Sequence, residues 1–113
     1  MVIETIEAML NFAEAVYLSV IVLGELLYGA KNSKHVDQNI QRVKQFMEQC
    51  ALLLVNELIS FRYSDIKLVL KGIGHPIPEN DIWIGATAIH HGLTLCTRDD
   101  HFGFIDGLVL ERW

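Results

Sequence analysis

Carboxylate side chains occur at three widely separated places where the neighbouring residues suggest a functional role rather than simple exposure to solvent. Glu25 lies within an otherwise apolar run, residues 20–28. Asp81 stands at the start of a predicted helix, and Asp99 and Asp100 directly follow a predicted strand. Carboxylate oxygens are the ligands that Mg²⁺ and Mn²⁺ prefer in proteins. If the fold brings the three places together, they form a site for a divalent metal ion.

Each acidic position also has a simpler structural explanation. Glu25 is costly to bury without a partner, but exposure or a salt bridge to another helix would remove that cost. Asp81 in a first helical turn complements the helix dipole. Asp99 and Asp100 belong to the residue types that form turns after strands. Because the three places are far apart in sequence, only the fold decides between these alternatives.

The elements that must position these residues alternate between helical and strand patterns. Helical spacing predicts a first helix ending near residue 14, a second over 20–30 that Ser19 caps, and a third carrying Val36, Val43 and Met47. A fourth begins after Asn56, which can cap it, and carries Ile59, Leu70 and Ile73 on its apolar face. A fifth spans about 79–91 and stops at Gly92.

Four short apolar segments are typical of strands: residues 15–18, 51–55, 93–96 and 108–110. The segment 51–55 is apolar throughout, as in a strand covered on both faces. Strands separated by helices predict an α/β fold, a parallel sheet with helices on both faces. Ligand sites of such sheets lie beyond the carboxyl ends of the strands, where the acidic residues fall.

Composition narrows the range of functions. With 113 residues, 51% of them apolar, the chain is expected to form a single domain, residues 1–113. A net charge of −5 argues against a protein that coats DNA, but it is compatible with an enzyme that reaches phosphates through a metal ion. The acidic start does not resemble a signal peptide, and no apolar run is long enough to span a membrane. Cys50 and Cys96 are expected to be buried thiols, and the predicted location is the cytoplasm.

Three segments resemble the motifs of PIN-domain ribonucleases of the VapC toxin type. Residues 18–30 (LSVIVLGELLYGA) are similar to the second acidic motif of that family. Residues 74–88 (GHPIPENDIWIGATA) are similar to the third, and residues 95–102 (LCTRDDHF), followed by Gly107 and Leu108, to the closing motif. The similarity runs in order over essentially the whole chain.

The resemblance implies a three-layer PIN-like fold and an endoribonuclease toxin of a type II toxin–antitoxin system that depends on Mg²⁺ or Mn²⁺. The expected partners are an RNA substrate, a cognate antitoxin and a second copy in a homodimer. By resemblance, Glu25, Asp81 and Asp99 are catalytic residues and metal ligands, with Asp100 as a substitute ligand for Asp99. Contacts with the substrate are assigned to three further residues: Thr97, Arg98 and Ser19.

The chain departs from the family pattern at its beginning. Members of the family open with a central strand that carries the first metal-site aspartate, whereas no aspartate precedes Asp37 here. We therefore expect the N-terminal central strand to be missing from this sequence. Two hypotheses follow: a metal-dependent ribonuclease, or a degenerate, non-catalytic PIN-like protein that acts through dimerisation or antitoxin binding. His101 is the one histidine whose position, next to Asp99 and Asp100, suggests that it lines the site.

Overall fold

The computed structural model describes residues 15–112, which form two compact units divided between Leu54 and Val55. The first predicted helix lies outside these residues. In this part of the chain, no helix is both long enough and apolar enough to cross a membrane. The elements in order are β1 (Tyr17–Ser19), α1 (Val20–Lys31), α2 (Val36–Glu48), β2 (Ala51–Leu53), α3 (Glu57–Gly72), α4 (Glu79–His90), β3 (Leu95–Thr97), a 3₁₀ helix (Asp100–Phe104) and β4 (Leu110–Arg112).

The N-terminal unit is built on two parallel strands and two helices. β1 pairs with β2, and Leu18 lies opposite Leu52 in the register. Ser19 ends β1 and caps α1, because its hydroxyl oxygen accepts a hydrogen bond from the backbone N–H of Ile21 at 3.1 Å. The predicted cap is thus confirmed. Six buried residues form the core of this unit: Leu18, Leu23, Leu26, Ala30, Val43 and Phe46.

The prediction that residues 51–55 are covered on both faces is wrong. Leu52 and Leu54 are 44% and 63% exposed. Alternate residues of a strand point to the same face, so these two side chains mark one uncovered side of the β2 segment. Among the described residues β2 pairs with β1 alone, which explains why its apolar sequence is not matched by burial.

The C-terminal unit contains the second pair of parallel strands, β3 and β4, with Leu95 opposite Leu110. Asn56 caps α3 as predicted, because its side-chain oxygen accepts a hydrogen bond from the backbone N–H of Ile59 at 3.0 Å. α3 packs along α4, and the rings of Tyr63 and Trp83 stack with their centroids 3.9 Å apart. α3 and α4 therefore pack side by side, and this contact positions the first turns of α4.

α4 is the most buried helix of the C-terminal unit. Gly85 lies in close contact with its surroundings, since a Cβ atom at this position would be 2.8 Å from Cδ1 of Ile105. The helix ends at His90, and Gly92, predicted as its stop, follows two residues later with a φ of +64° that favours glycine. Seven residues of α4 are buried: Asp81, Ile82, Ile84, Gly85, Ala86, Thr87 and Ala88. This burial holds the first turn of α4, which carries Asp81, in a fixed place.

An exposed ion pair between α3 and α4 leads to a prediction about pH. Lys67 Nζ lies 2.5 Å from Glu79 Oε1, and Tyr63 donates a hydrogen bond to the same carboxylate. Hydrogen bonds from Lys67, then from Tyr63, lower the pKa of Glu79 below its ordinary value of 4.5. Because its pKa is lowered in the folded state, ionised Glu79 stabilises the fold. This stabilisation is present above the ordinary pKa of 4.5 and is lost as the pH falls through the lowered folded-state pKa.

Glu79→Gln is therefore expected to be slightly less stable than the wild type at neutral pH, with a difference that shrinks as the pH falls below 4.5. Urea unfolding at several pH values measures this difference. Because both side chains are about half exposed, added salt should also reduce it. A difference that persists unchanged in acid would show that charge is not its cause.

Candidate metal site

Asp81, Asp99 and His101 come together in the C-terminal unit. Each offers one donor atom, and these atoms all lie within 4.8 Å of one another. Asp81 is in the first turn of α4, Asp99 directly follows β3, and His101 belongs to the 3₁₀ helix. The tertiary structure thus places two of the acidic residues expected in a metal site next to each other, with an imidazole beside them.

Asp81 is the buried member of this cluster. Asp81 is 9% exposed, and its Oδ2 atom lies 3.2 Å from Nδ1 of His101. Burial raises the pKa of the Asp81 carboxyl above its ordinary value, the contact with His101 opposes this shift, and the negative charge of Asp99 adds to it. A partly desolvated carboxylate beside a second carboxylate gains stability from a bound cation.

The turn after β3 determines where the Asp99 carboxylate lies. The hydroxyl oxygen of Thr97 accepts a hydrogen bond from the backbone N–H of Asp99 at 3.0 Å, which holds the backbone of the turn. Asp99 precedes the 3₁₀ helix, but its side chain makes no capping hydrogen bond to it. The carboxylate instead lies close to Asp81, with donor atoms of the two residues within 4.8 Å. The predicted substrate contact of Thr97 remains a prediction beside this turn-forming role.

Asp100 has a different partner from Asp99. Its carboxylate forms an exposed ion pair with the guanidinium of Arg112, at the end of β4. The metal-ligand group found among the described residues contains Asp99 rather than Asp100. The resemblance to the family assigned Asp99 as the ligand, with Asp100 as its substitute. The structure separates them, because one carboxylate faces Asp81 and the other is held by an arginine.

Two further predicted site residues belong to the N-terminal unit. Glu25 is exposed on α1, so it does not bear the burial cost that drew attention to it in the sequence. Its role as a metal ligand remains a prediction. Ser19 is 8% exposed and its hydroxyl caps α1, and its assignment to substrate binding likewise remains a prediction.

In the C-terminal unit, Arg98 is exposed, as a contact with a phosphate requires. Cys96 is also exposed, which contradicts its expected burial.

The helix dipole alone does not account for the surroundings of Asp81. Asp81 does lie in a first helical turn, where negative charge is favourable, but that effect needs neither burial nor a neighbouring carboxylate. Here the residue is buried and lies close to Asp99 and His101. Two carboxylates and an imidazole form a donor set that suits a divalent cation, so the residues present fit a metal ion.

Comparison with known proteins identifies the family. A model of the PIN domain matches residues 2–108. The chain belongs to the PIN-domain family. This PIN domain is 33% identical over 97 residues to a protein named Ribonuclease VapC2 from Rickettsia felis, covering 85% of this chain and 72% of that protein. The comparison confirms the resemblance inferred from the three motifs.

Solved structures similar to this PIN domain confirm the predicted α/β fold. A chain in the crystal structure of VapBC2 from Rickettsia felis bound to a DNA fragment from their promoter matches with a TM-score of 0.85 and 30% identity. The match covers 97% of this chain and 83% of that chain. VapBC-5 from Mycobacterium tuberculosis, a member of the VapBC family of toxin-antitoxin systems, matches with a TM-score of 0.73 and 25% identity, over 86% and 79% of the two chains.

Proposed function

We propose that this PIN-domain protein is a metal-dependent endoribonuclease toxin of a type II toxin–antitoxin system. The observation that carries the proposal is the cluster of Asp81, Asp99 and His101, with donor atoms within 4.8 Å of one another. Its relatives named ribonuclease VapC support the choice of reaction. The proposed cofactor is Mg²⁺ or Mn²⁺, and the proposed substrate is single-stranded RNA.

The residues of the site have separate tasks in this proposal. A divalent cation, when bound, supplies Lewis-acid activation of a phosphodiester and of the attacking water. Asp81 and Asp99 provide the negative charge that holds the cation. Thr97 holds the turn that presents Asp99, and His101 contacts the Asp81 carboxylate at 3.2 Å. Glu25 is proposed as a further ligand. Hydrolysis with these parts is expected to leave a 5′-phosphate and a 3′-hydroxyl.

The proposed protein partner is a cognate antitoxin, and the proposed location is the cytoplasm. Similar chains occur in VapBC complexes from Rickettsia felis and Haemophilus influenzae, which supports an antitoxin as partner. A homodimer is also proposed by analogy with the family. Of these assignments, only the antitoxin concerns what keeps the protein inactive.

Metal removal tests the proposed reaction directly. The purified full chain is expected to cleave single-stranded RNA in Mn²⁺ or Mg²⁺, to stop in excess EDTA, and to recover when the metal is restored. End-labelled RNA shows whether the products carry a 5′-phosphate. Asp99→Ala, purified in parallel, controls for contaminating nucleases and should be inactive.

Two results would count against an enzyme. Equal cleavage by the wild type and Asp99→Ala would assign the activity to a contaminant. No cleavage, together with a calorimetric titration that shows no saturable binding of Mn²⁺, would favour the non-catalytic hypothesis. In that case the protein would act only through dimerisation or antitoxin binding.

A further inference from the structure

We propose that His101 is a nitrogen ligand of the metal ion and makes the site favour a divalent first-row transition-metal ion over Mg²⁺. The inference rests on the proposed function and concerns the same site. It goes further by adding a ligand that is not a carboxylate and a preference between metals. The position of the imidazole, the exposure of its ring and the chemistry of its nitrogen support this assignment.

The imidazole lies where a ligand would have to be. Nδ1 of His101 is 3.2 Å from Oδ2 of Asp81, and the donor atoms of both residues lie within 4.8 Å of that of Asp99. Ligands at roughly 2.1 Å from one ion are separated by up to roughly 4.2 Å. Small rotations of the side chains are therefore enough to direct all three donor atoms at one cation.

The surroundings of His101 permit such a rotation while holding its backbone. Its side chain is 51% exposed, whereas that of Asp81 is 13% exposed. The next residue, Phe102, is 3% exposed, and Ile105 at the end of the 3₁₀ helix is 5% exposed, so the segment that follows His101 is anchored in the core. Phe104 also stacks on His75, with ring centroids 4.0 Å apart. The residues after His101 are therefore packed, while the half-exposed ring has room to turn.

The nitrogen donor changes which metal the site prefers. Mg²⁺ is a hard cation that takes oxygen ligands in a strict octahedral arrangement and gives up its water reluctantly. Imidazole nitrogen suits first-row transition-metal ions, while the carboxylates of Asp81 and Asp99 can bind either kind of ion. A mixed set of oxygen and nitrogen donors therefore weakens binding of Mg²⁺ relative to Mn²⁺.

The same 3.2 Å contact would also fit a second role, in which His101 only orients Asp81 through a hydrogen bond. Electron spin-echo spectroscopy of Mn²⁺ separates the two roles, because a directly bound nitrogen modulates the echo much more strongly than a nitrogen that only hydrogen-bonds to a carboxylate ligand. The full chain with substoichiometric Mn²⁺ is the sample. We expect the strong nitrogen modulation of a directly bound imidazole.

His101→Asp is the informative variant, because it replaces the nitrogen donor with an oxygen donor and keeps a ligand at this position. We expect it to bind Mn²⁺ without nitrogen modulation, and the ratio of Mn²⁺ to Mg²⁺ affinity to fall about tenfold. Calorimetric competition between the two metals measures this ratio. His35→Asp, the same substitution at the exposed N-cap of α2, should leave both the modulation and the ratio unchanged.

The outcomes separate this inference from the proposed function. Saturable Mn²⁺ binding without nitrogen modulation in the wild type would overturn the ligand role of His101 and leave the metal-dependent reaction intact. Modulation that persists in His101→Asp would also overturn it. The absence of any saturable Mn²⁺ binding would contradict both the inference and the metal dependence proposed for the protein.

Discussion

Replacing Asp81 with asparagine is expected to reduce metal-dependent RNA cleavage at least about a hundredfold, because loss of a residue that only supports a metal ligand already costs roughly 10- to 100-fold. Asp81 is the buried carboxylate of the cluster and lies within reach of both Asp99 and His101. Asparagine keeps the shape of the side chain but removes the charge that attracts a cation. The decrease should appear in the cleavage rate and, by calorimetry, in the affinity for Mn²⁺.

Urea unfolding of the same variant tests whether this loss is caused by unfolding. Because burial raises the pKa of Asp81, the ionised carboxylate destabilises the folded state relative to the protonated one. The protonated Asp81 side chain stabilises the folded state. This contribution is fully present below the ordinary pKa of 3.8 and is lost as the pH rises through the raised pKa of the folded protein. Asp81→Asn should therefore be at least as stable as the wild type at neutral pH, with a smaller difference in acid.

Asp106→Asn provides the matched control for this experiment. Asp106 is exposed and lies outside the metal-ligand cluster found among the described residues. The same chemical change at this position should leave the cleavage rate and the Mn²⁺ affinity unchanged. If Asp81→Asn retains wild-type cleavage in clean protein, Asp81 does not belong to the catalytic site.

Leu70→Ala is expected to lower the free energy of unfolding by about 2–5 kcal/mol, because it leaves a cavity in the packed side of α3. Leu70 is 1% exposed and is among the largest fully buried side chains of the described residues. Single domains are typically stable by roughly 5–15 kcal/mol, so this loss is a large fraction of the total. Urea unfolding followed by circular dichroism measures it.

Leu68→Ala controls for the change in helix propensity and in side-chain volume. Leu68 is on the same helix, two residues away, but is 71% exposed. Its replacement should change the free energy of unfolding by no more than about 0.5 kcal/mol. Similar losses for the two variants would show that Leu70 is not in a packed core, or that Leu68 is covered by a partner in solution.

The sequence predicted the local structure of this chain well, because short-range rules govern it. Ser19 and Asn56 were identified as helix caps from the preference of their side-chain oxygens for orphan backbone N–H groups, and both make the expected bonds. The apolar spacing of α3 correctly placed Ile59 and Leu70 inside. It failed at Ile73, which is 56% exposed because the helix ends at Gly72 and the periodicity no longer applies.

The candidate site shows what the residue types alone determined and what only the tertiary structure decided. The residue types and motifs identified Asp81 and the pair Asp99 and Asp100, and the family comparison confirms the resemblance on which their roles depend. Local signals are the same for these adjacent residues, so only the resemblance to the family favoured Asp99, with Asp100 as its substitute. The path of the chain after β3 distinguishes them. It places Asp99 and His101 beside Asp81, whereas Asp100 forms an ion pair with Arg112. Contacts between residues about twenty positions apart depend on packing, which no local rule contains.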